Sequence, residues 1–353
     1  VDGEIGSDQN SQWKKNNMTH LLAADIGGTK SDLAIYDFTQ GTDTPPLCRQ
    51  RYNNNEFHSF YDVLREFLSS TDKPTPRYGC FGVAAVIDNN RARLTNREWE
   101  IGEQELLKDF GFSKVKLIND LTAICSSLPS LAEPELLQIQ QGQKTQNSIQ
   151  AVIAPGTGLG EGILLHRDAC FFPQGTEGGH CDFAPLNQEQ SELLSFMLKK
   201  QRPVSYELLC SGVGIPNIYD FLASTDISID VACSKRVATA PDKTAAISEG
   251  AFSASPCPLC LRTFAIFMEI LGAEAGNLAL KTYPTGGLFI AGGILPRIAE
   301  HISFEPFLKA FRDKEKMAAL MESIPIHLIL HKNAALLGAA NYGFQFFKKT
   351  KSE

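Results

Sequence analysis

The chain has 353 residues, 43% hydrophobic and 21% charged, the balance of a protein with a substantial core and length enough for two domains. Its 33 Lys and Arg stand against 40 Asp and Glu, a formal charge of −7, which disfavours a nucleic-acid partner. No uninterrupted apolar run of about 18 residues occurs, which argues against a transmembrane helix, and the nine scattered cysteines read as buried thiols of a reducing cytosol.

Val1–Asn17 is polar and lacks the apolar stretch of a signal peptide, so it reads as a disordered leader or expression scar outside the fold. His20–Asp25 and Ser31–Tyr36 are strand-like runs joined by Ile26-Gly27-Gly28-Thr29-Lys30, the pattern of a β-hairpin. Aromatic and leucine residues from Phe57 to Leu68 recur at helical spacing and predict a helix over 57–69. Tyr78–Ile87 has strand length, and Leu106, Leu107 and Phe110 lie on a helix that Gly111 can stop in a left-handed cap. Val115–Ile118 predicts a short strand, with Asn119-Asp120 where it gives way to a helix over 121–128. Residues 131–148 are rich in glutamine and read as a connecting loop at a domain boundary.

Beyond that boundary the plan repeats. Ile149–Ile153, a turn at Pro155–Gly160 and a strand over Gly162–His166 predict a second glycine-linked hairpin. Helices are expected over 191–200, 216–222 and, with the longest apolar stripe, 258–282, where Pro284 follows. Residues 224–243 read as a surface loop. Leu288–Gly293 is a buried strand running into a glycine pair, Pro325–Leu330 a last strand, and 333–347 a closing helix with Ala334, Leu337, Ala340 and Tyr342 on its inner side. Alternating strands and helices make this an α/β protein. The ending Thr350-Lys351-Ser352-Glu353 is no peroxisomal signal, and the cytoplasm is the default.

Several constellations carry chemistry. Gly27 and Gly28 let backbone amides approach phosphate oxygens, Thr29 adds a hydroxyl, and Asp25 is a hard oxygen ligand for Mg²⁺, directly or through water. Taken alone, that turn better suits an ordinary hairpin. Gly156-Thr157-Gly158 is a second such turn, and Gly292-Gly293 leaves bare backbone beside a buried strand. Neither a Walker A sequence nor the dinucleotide-binding Gly-x-Gly-x-x-Gly after the first strand is present. Asp120 suits either a proton acceptor for a hydroxyl or a helix N-cap. Glu177 and His180 flank two glycines and suit recognition of vicinal hydroxyls, with Glu207 as a further acceptor. Cys257-Pro258-Leu259-Cys260 is a single CxxC at the start of an apolar helix. Without a second pair it reads as core thiols, not as structural zinc.

Together these stretches resemble the bacterial-type glucokinase family, within the hexokinase–actin–Hsp70 superfamily. The resemblance rests on Ala23–Lys30, Leu94-Thr95-Asn96, Ile118–Ala123, Ala154–Gly160, Glu177–Pro185, Glu207–Gly214 and Phe289–Leu295, in that order, and spans residues 19 to about 345. It implies a two-domain ribonuclease-H-like fold with an active-site cleft between a small α/β domain, 18–129 plus 334–353, and a large one, 130–333. It further implies ATP-dependent phosphorylation of glucose at the 6-hydroxyl, with ATP and Mg²⁺ required, in a cytoplasmic homodimer with no nucleic-acid or membrane partner. Asp120 would be the general base. Asn96, Asn119, Asp120, Glu177, His180 and Glu207 would hold the sugar. Ala24, Asp25, Ile26, Gly27, Gly28, Thr29, Gly156, Thr157, Gly158, Gly292 and Gly293 would hold the nucleotide and its metal. Two departures stand out: Ala84-Ala85-Val86-Ile87 replaces the family's Ala-Gly-Pro-Val-like run, and Lys30 matches the related sugar-kinase and repressor group. That group carries a cysteine-rich zinc motif after its histidine, and Cys181-Asp182-Phe183 is not one. A kinase for another hexose or amino sugar, and a catalytically silent sugar sensor, are the alternatives.

Overall fold

The computed structural model describes residues 19–69, 76–94, 97–168, 170–225 and 230–349; the leader Val1–Asn17 and Asn96 lie outside them. The chain divides into two compact units, one running to Leu131 and resuming at Lys332, the other spanning Ala132–His331.

In the first unit, β1 (His20–Ile26) and β2 (Lys30–Asp37) form the expected antiparallel hairpin. β3 (Cys48–Asn53) pairs antiparallel with the outer side of β2, and β4 (Tyr78–Val83) lies parallel to β1. β5 (Ile87–Asp88), β6 (Arg91–Arg93) and β7 (Glu100–Gly102) make a separate three-stranded sheet. β8 (Lys114–Asn119) then returns beside β4, again parallel. The five-stranded order is β3-β2-β1-β4-β8. β1 is apolar almost throughout because both of its faces are covered. Leu22, Ala24 and Ile26 pack with Phe60 and Leu64, whereas Leu21 and Ala23 pack with Leu336 and Ala339 of the closing helix Ala334–Lys349.

The second unit repeats this arrangement. β9 (Leu136–Gln140) comes first in the chain but lies at an edge. β10 (Gln150–Pro155), β11 (Leu159–Arg167) and β12 (Cys170–Thr176) form an antiparallel ribbon, with β13 (Leu288–Ile290) and β14 (Ile326–Ile329) parallel to β10 on its other side. The order is β12-β11-β10-β13-β14-β9. Leaving out β9, the two sheets share one plan: a three-strand antiparallel ribbon followed by two parallel strands.

Several expectations need correction. The stretch 131–148 is not all loop. β9 pairs antiparallel with β14, and buried Gln140 donates to the carbonyls of Met321 and Ile324, so glutamine here satisfies an interior rather than marking a linker. Within 224–243, Asp230 caps a helix over Val231–Thr239 by accepting from the amides of Ala232 and Cys233. The helix expected from 57 starts at Phe60, because Ser59 and Asp62 bond each other's side chains and amides. The strand expected over 78–87 ends at Val83, with Ile87-Asp88 joining the small sheet. On the closing helix, Leu336, Ala339, Phe344 and Phe347 are buried alongside Ala334 and Ala340, while Leu337 and Tyr342 are only half-buried. Gly111 does adopt φ 70° as a left-handed cap. The Pro258–Thr282 helix has the length and hydropathy of a membrane span, yet 78% of its most apolar window is buried within the protein.

The helix Asp120–Ser127 packs on the closing helix at Gly338, where a Cβ would overlap the carbonyl oxygen of Ala123. We therefore expect Gly338→Ala to cost about 1–3 kcal/mol through overpacking. A melting temperature unchanged by circular dichroism would refute this contact.

Candidate active site

At the C-terminal end of β1 the chain turns through Gly27-Gly28-Thr29, and every carbonyl of that turn is held by protein. Gly27 O accepts from Asn54 Nδ2 (2.8 Å), Gly28 O from Arg97 Nε (3.0 Å) and Thr29 O from the Asn54 amide (2.9 Å). In a trans peptide the N–H points opposite to its C=O. The amides of Gly28 and Thr29 are thus directed away from Asn54 and Arg97, as an anion-binding turn requires. Arg97 is itself fixed by the Asn54 carbonyl (2.8 Å) and lies 4.7 Å from the centre of the Trp99 ring. Neither Asn54 nor Arg97 was singled out from sequence, since nothing local in their surroundings marks them as partners of a distant turn.

The parallel register aligns Ile26 with Val83 and Val83 with Asn119, so Asp25 and the Asn119-Asp120 corner share one sheet edge. The helix is capped by Asn119 and not by Asp120. Its Oδ1 accepts from Leu121 N (2.8 Å) and Thr122 N (3.3 Å), and its Nδ2 donates to Ala85 O (3.2 Å). Asp120 is the first helical residue, and one of its oxygens accepts from Leu121 N (2.9 Å). Burial, and then the charges of Asp120 and Asp32, push the Asp25 carboxyl up to about 7, against a smaller opposing effect from Arg51. The half-buried Asp25 carboxylate, beside further negative charge, is a hard oxygen donor that fits a divalent cation.

In the second unit Leu159 is the meeting point. Its amide donates to Glu207 Oε2 (3.0 Å), and its carbonyl lies where a Cβ on Gly179 would overlap it. Gly158 is similarly required, because a side chain there would strike Glu207. The Gly156 turn closes on itself through Gly156 N to Gly158 O (2.8 Å), and its Gly156 carbonyl accepts from Gly212 N (2.7 Å). Gly292, at φ +88°, sits against the carbonyl of Pro155, which puts the glycine pair after β13 beside the turn after β10. Thr157 is exposed at the tip of the turn. Glu177 and His180 are both exposed, with Nε2 and Oε2 3.9 Å apart. The structure thus brings Glu177, His180, Glu207, Gly156–Gly158 and Gly292 around one short stretch of backbone. Glu207 is tied to the glycine turn, a contact its spacing does not reveal.

The matching family model is Glucokinase, over residues 22–345. The chain belongs to the glucokinase family. It is 36% identical over 337 residues to the glucokinase of Trichormus variabilis, covering 92% of this chain and 98% of that one. To the glucokinase of Shigella dysenteriae it is 34% identical over 322 residues, covering 91% and 95%. Among solved structures, the glucokinase of an Antarctic psychrotroph superposes with a TM-score of 0.78 at 30% identity, covering 93% of this chain and all of that one. The fold is also that of the glucokinase of Balamuthia mandrillaris, solved with glucose (TM-score 0.72, 19% identity, 97% of this chain and 100% of that one).

Behind the Glu177–His180 segment lies a feature the sequence did not signal. Glu161, on β11, and Glu274, on the Pro258–Thr282 helix, are both buried, and a Cβ on Gly178 would overlap Glu161 Oε2. Burial first, and then the charge of Glu274, push the Glu161 carboxyl up to about 8. An unfolded glutamate releases its proton near pH 4.5, whereas the folded one keeps it up to about 8, so the folded state binds more protons in that window. Stability contributed by this site is present at mildly acidic pH and is lost as pH rises toward 8. Glu161→Gln should flatten that decline by on the order of 1–3 kcal/mol. Urea unfolding at pH 6 and pH 8.5 measures it, and parallel curves for both proteins would contradict the shared-proton pair.

Proposed function

We propose that this enzyme transfers the γ-phosphoryl group of ATP to the 6-hydroxyl of D-glucose, giving glucose 6-phosphate and ADP. The observation that carries the reading is the Asn119-Asp120 corner: because Asn119 caps the helix, Asp120 is not needed for that task. In this mechanism the Asp120 carboxylate accepts the 6-hydroxyl proton as the sugar oxygen bonds to phosphorus and the bond to ADP breaks. Asn96, Asn119, Glu177, His180 and Glu207 orient the remaining hydroxyls. Since Glu207 Oε2 already accepts from Leu159, Oε1 is the oxygen offered to the sugar. The amides of Gly28 and Thr29 and the Gly156–Gly158 turn receive phosphate oxygens, and Gly292-Gly293 lies along the adenosine. Asp25 holds Mg²⁺, which when bound neutralises charge on the phosphates. A homodimeric, cytoplasmic enzyme belongs to the same reading.

Asp120→Asn tests it. The helix keeps its cap, so folding and melting should be unchanged. Turnover should fall about 10²–10⁴-fold, the usual worth of a general base, while glucose affinity stays within roughly tenfold, about 1.4 kcal/mol. Single-turnover phosphorylation beside glucose calorimetry separates the two quantities, and near-normal turnover would remove Asp120 from the chemistry. A panel of hexoses and amino sugars with an ADP-coupled readout tests the choice of glucose.

A further inference from the structure

Away from all of these residues, on the helical side of the second unit, three cysteines meet. Cys233 belongs to the Val231–Thr239 helix, Cys257 caps the Pro258–Thr282 helix, and Cys260 lies in its first turn. Their sulfur atoms lie within 4.8 Å of one another, with Cys233 Sγ and Cys260 Sγ 3.6 Å apart. All three residues are buried, at 1%, 4% and 0% exposure. The helix Lys243–Phe252 faces the group with Gly250, where a Cβ would stand 2.8 Å from Cys260 Sγ and 3.2 Å from Cys233 Sγ. A residue without a side chain thus keeps the space around the sulfurs open.

Buried cysteines packed only as small apolar groups need no polar partners. These have them. The amides of Leu259 and Cys260 bond to the Cys257 sulfur. Arg236 Nη2 points at Cys233 Sγ from 3.5 Å. The N-terminus of a helix of 25 residues adds further positive potential at Cys257 and Cys260. These contacts offset part of the burial that holds the Cys233 and Cys260 thiols protonated, and a metal ion, which binds sulfur as thiolate, supplies the remaining positive charge.

We propose that Cys233, Cys257 and Cys260 bind one thiophilic metal ion, of the chemistry shared by Zn²⁺ and Cu⁺, as a structural staple between the Val231–Thr239 and Pro258–Thr282 helices. Binding replaces three S–H bonds by three metal–sulfur bonds and releases three protons. The resulting net negative charge faces Arg236 and the helix N-terminus. An ion at about 2.3 Å from each sulfur needs sulfurs about 3.8 Å apart, so the Cys233–Cys260 pair already fits and no pair exceeds that spacing by more than about 1 Å. Soft thiolate ligands select such ions over Mg²⁺. The sequence alone offers only the CxxC; Cys233 lies 27 residues from Cys260 and joins it through folding.

The test is elemental analysis of the full chain, purified reduced and without chelator, then reconstituted separately with Zn²⁺ and with Cu⁺. About one ion per chain is expected in one or both arms, with X-ray absorption showing sulfur ligands only or sulfur plus one lighter atom. Cys233→Ser and Cys260→Ser should each lower the stoichiometry at least fivefold, whereas Cys170→Ser, on β12, should not. Should the two variants misfold, the absorption spectrum of the unaltered protein still decides. Metal bound without sulfur ligands, no metal in either arm, or an intact mass two hydrogens lighter from a Cys233–Cys260 disulfide would each overturn the proposal.

Discussion

In each unit the glycine turns and acidic corners lie where parallel strands end, and the rest of the candidate site depends on that alignment. Register places Asp25, at the end of β1, on the same edge as Asn119, at the end of β8. In the second sheet the Gly156 turn follows β10 and Gly292 follows the adjacent parallel strand β13. Groups contributed from distant points of the chain are thereby gathered without long loops, the usual reason ligands bind at strand C-termini in α/β sheets. The cost is electrostatic. Burial first, and then the nearby charges of Asp120 and Asp32, push the Asp25 carboxyl up to about 7, a cost that a bound cation or a proton relieves.

The two sheets solve the same backbone problem by different means. A tight glycine turn presents amides outward only if its carbonyls are satisfied on the inner side. In the first unit side chains do this, with Asn54 and Arg97 reaching in from later segments. In the second, backbone amides do it: Gly212 N donates to Gly156 O and Gly156 N to Gly158 O, while Glu207 takes the Leu159 amide. The repeat is therefore one of architecture, strand for strand, and not of the contacts that stabilise the turns. This is why the two hairpins look so little alike in sequence beyond their glycines.

What was legible in the sequence follows from how local each cause is. β1, β2, β10, β11 and β13 announce themselves because buried strands need apolar runs and their turns need glycine. β3, with the polar sequence Cys-Arg-Gln-Arg-Tyr-Asn, and β9, whose apolar residues are interrupted by glutamine within a glutamine-rich stretch, are half-exposed edge strands and carry no such signal. The Val231–Thr239 helix was hidden by the polar residues around it, although Asp230 is a good cap in the right place. At the site, glycines and the Asn119-Asp120 pair could be picked out, but which of the two caps the helix depended on side-chain geometry. Arg97, Asn54 and the Glu161–Glu274 pair owe their importance wholly to tertiary neighbours.

Glycine explains why the second-unit site tolerates so little rearrangement. Gly158, Gly179 and Gly292 each bring backbone against a group that a methyl would strike: Glu207, the Leu159 carbonyl and the Pro155 carbonyl. These three contacts fix the phosphate-side turn, the Glu177–His180 segment and the end of β13 to the few residues between Pro155 and Leu159. At Gly179 and Gly292 the opposing group is backbone, with no side-chain rotamer to adjust, so displacement of one element is passed to the next, whereas at Gly158 the Glu207 side chain can give way. The amide of Leu159 then couples the turn to Glu207, whose other oxygen faces the proposed sugar. In the proposed mechanism, binding at either group would bear on the geometry of the other and so link hydroxyl recognition to the placement of phosphate through a single peptide unit.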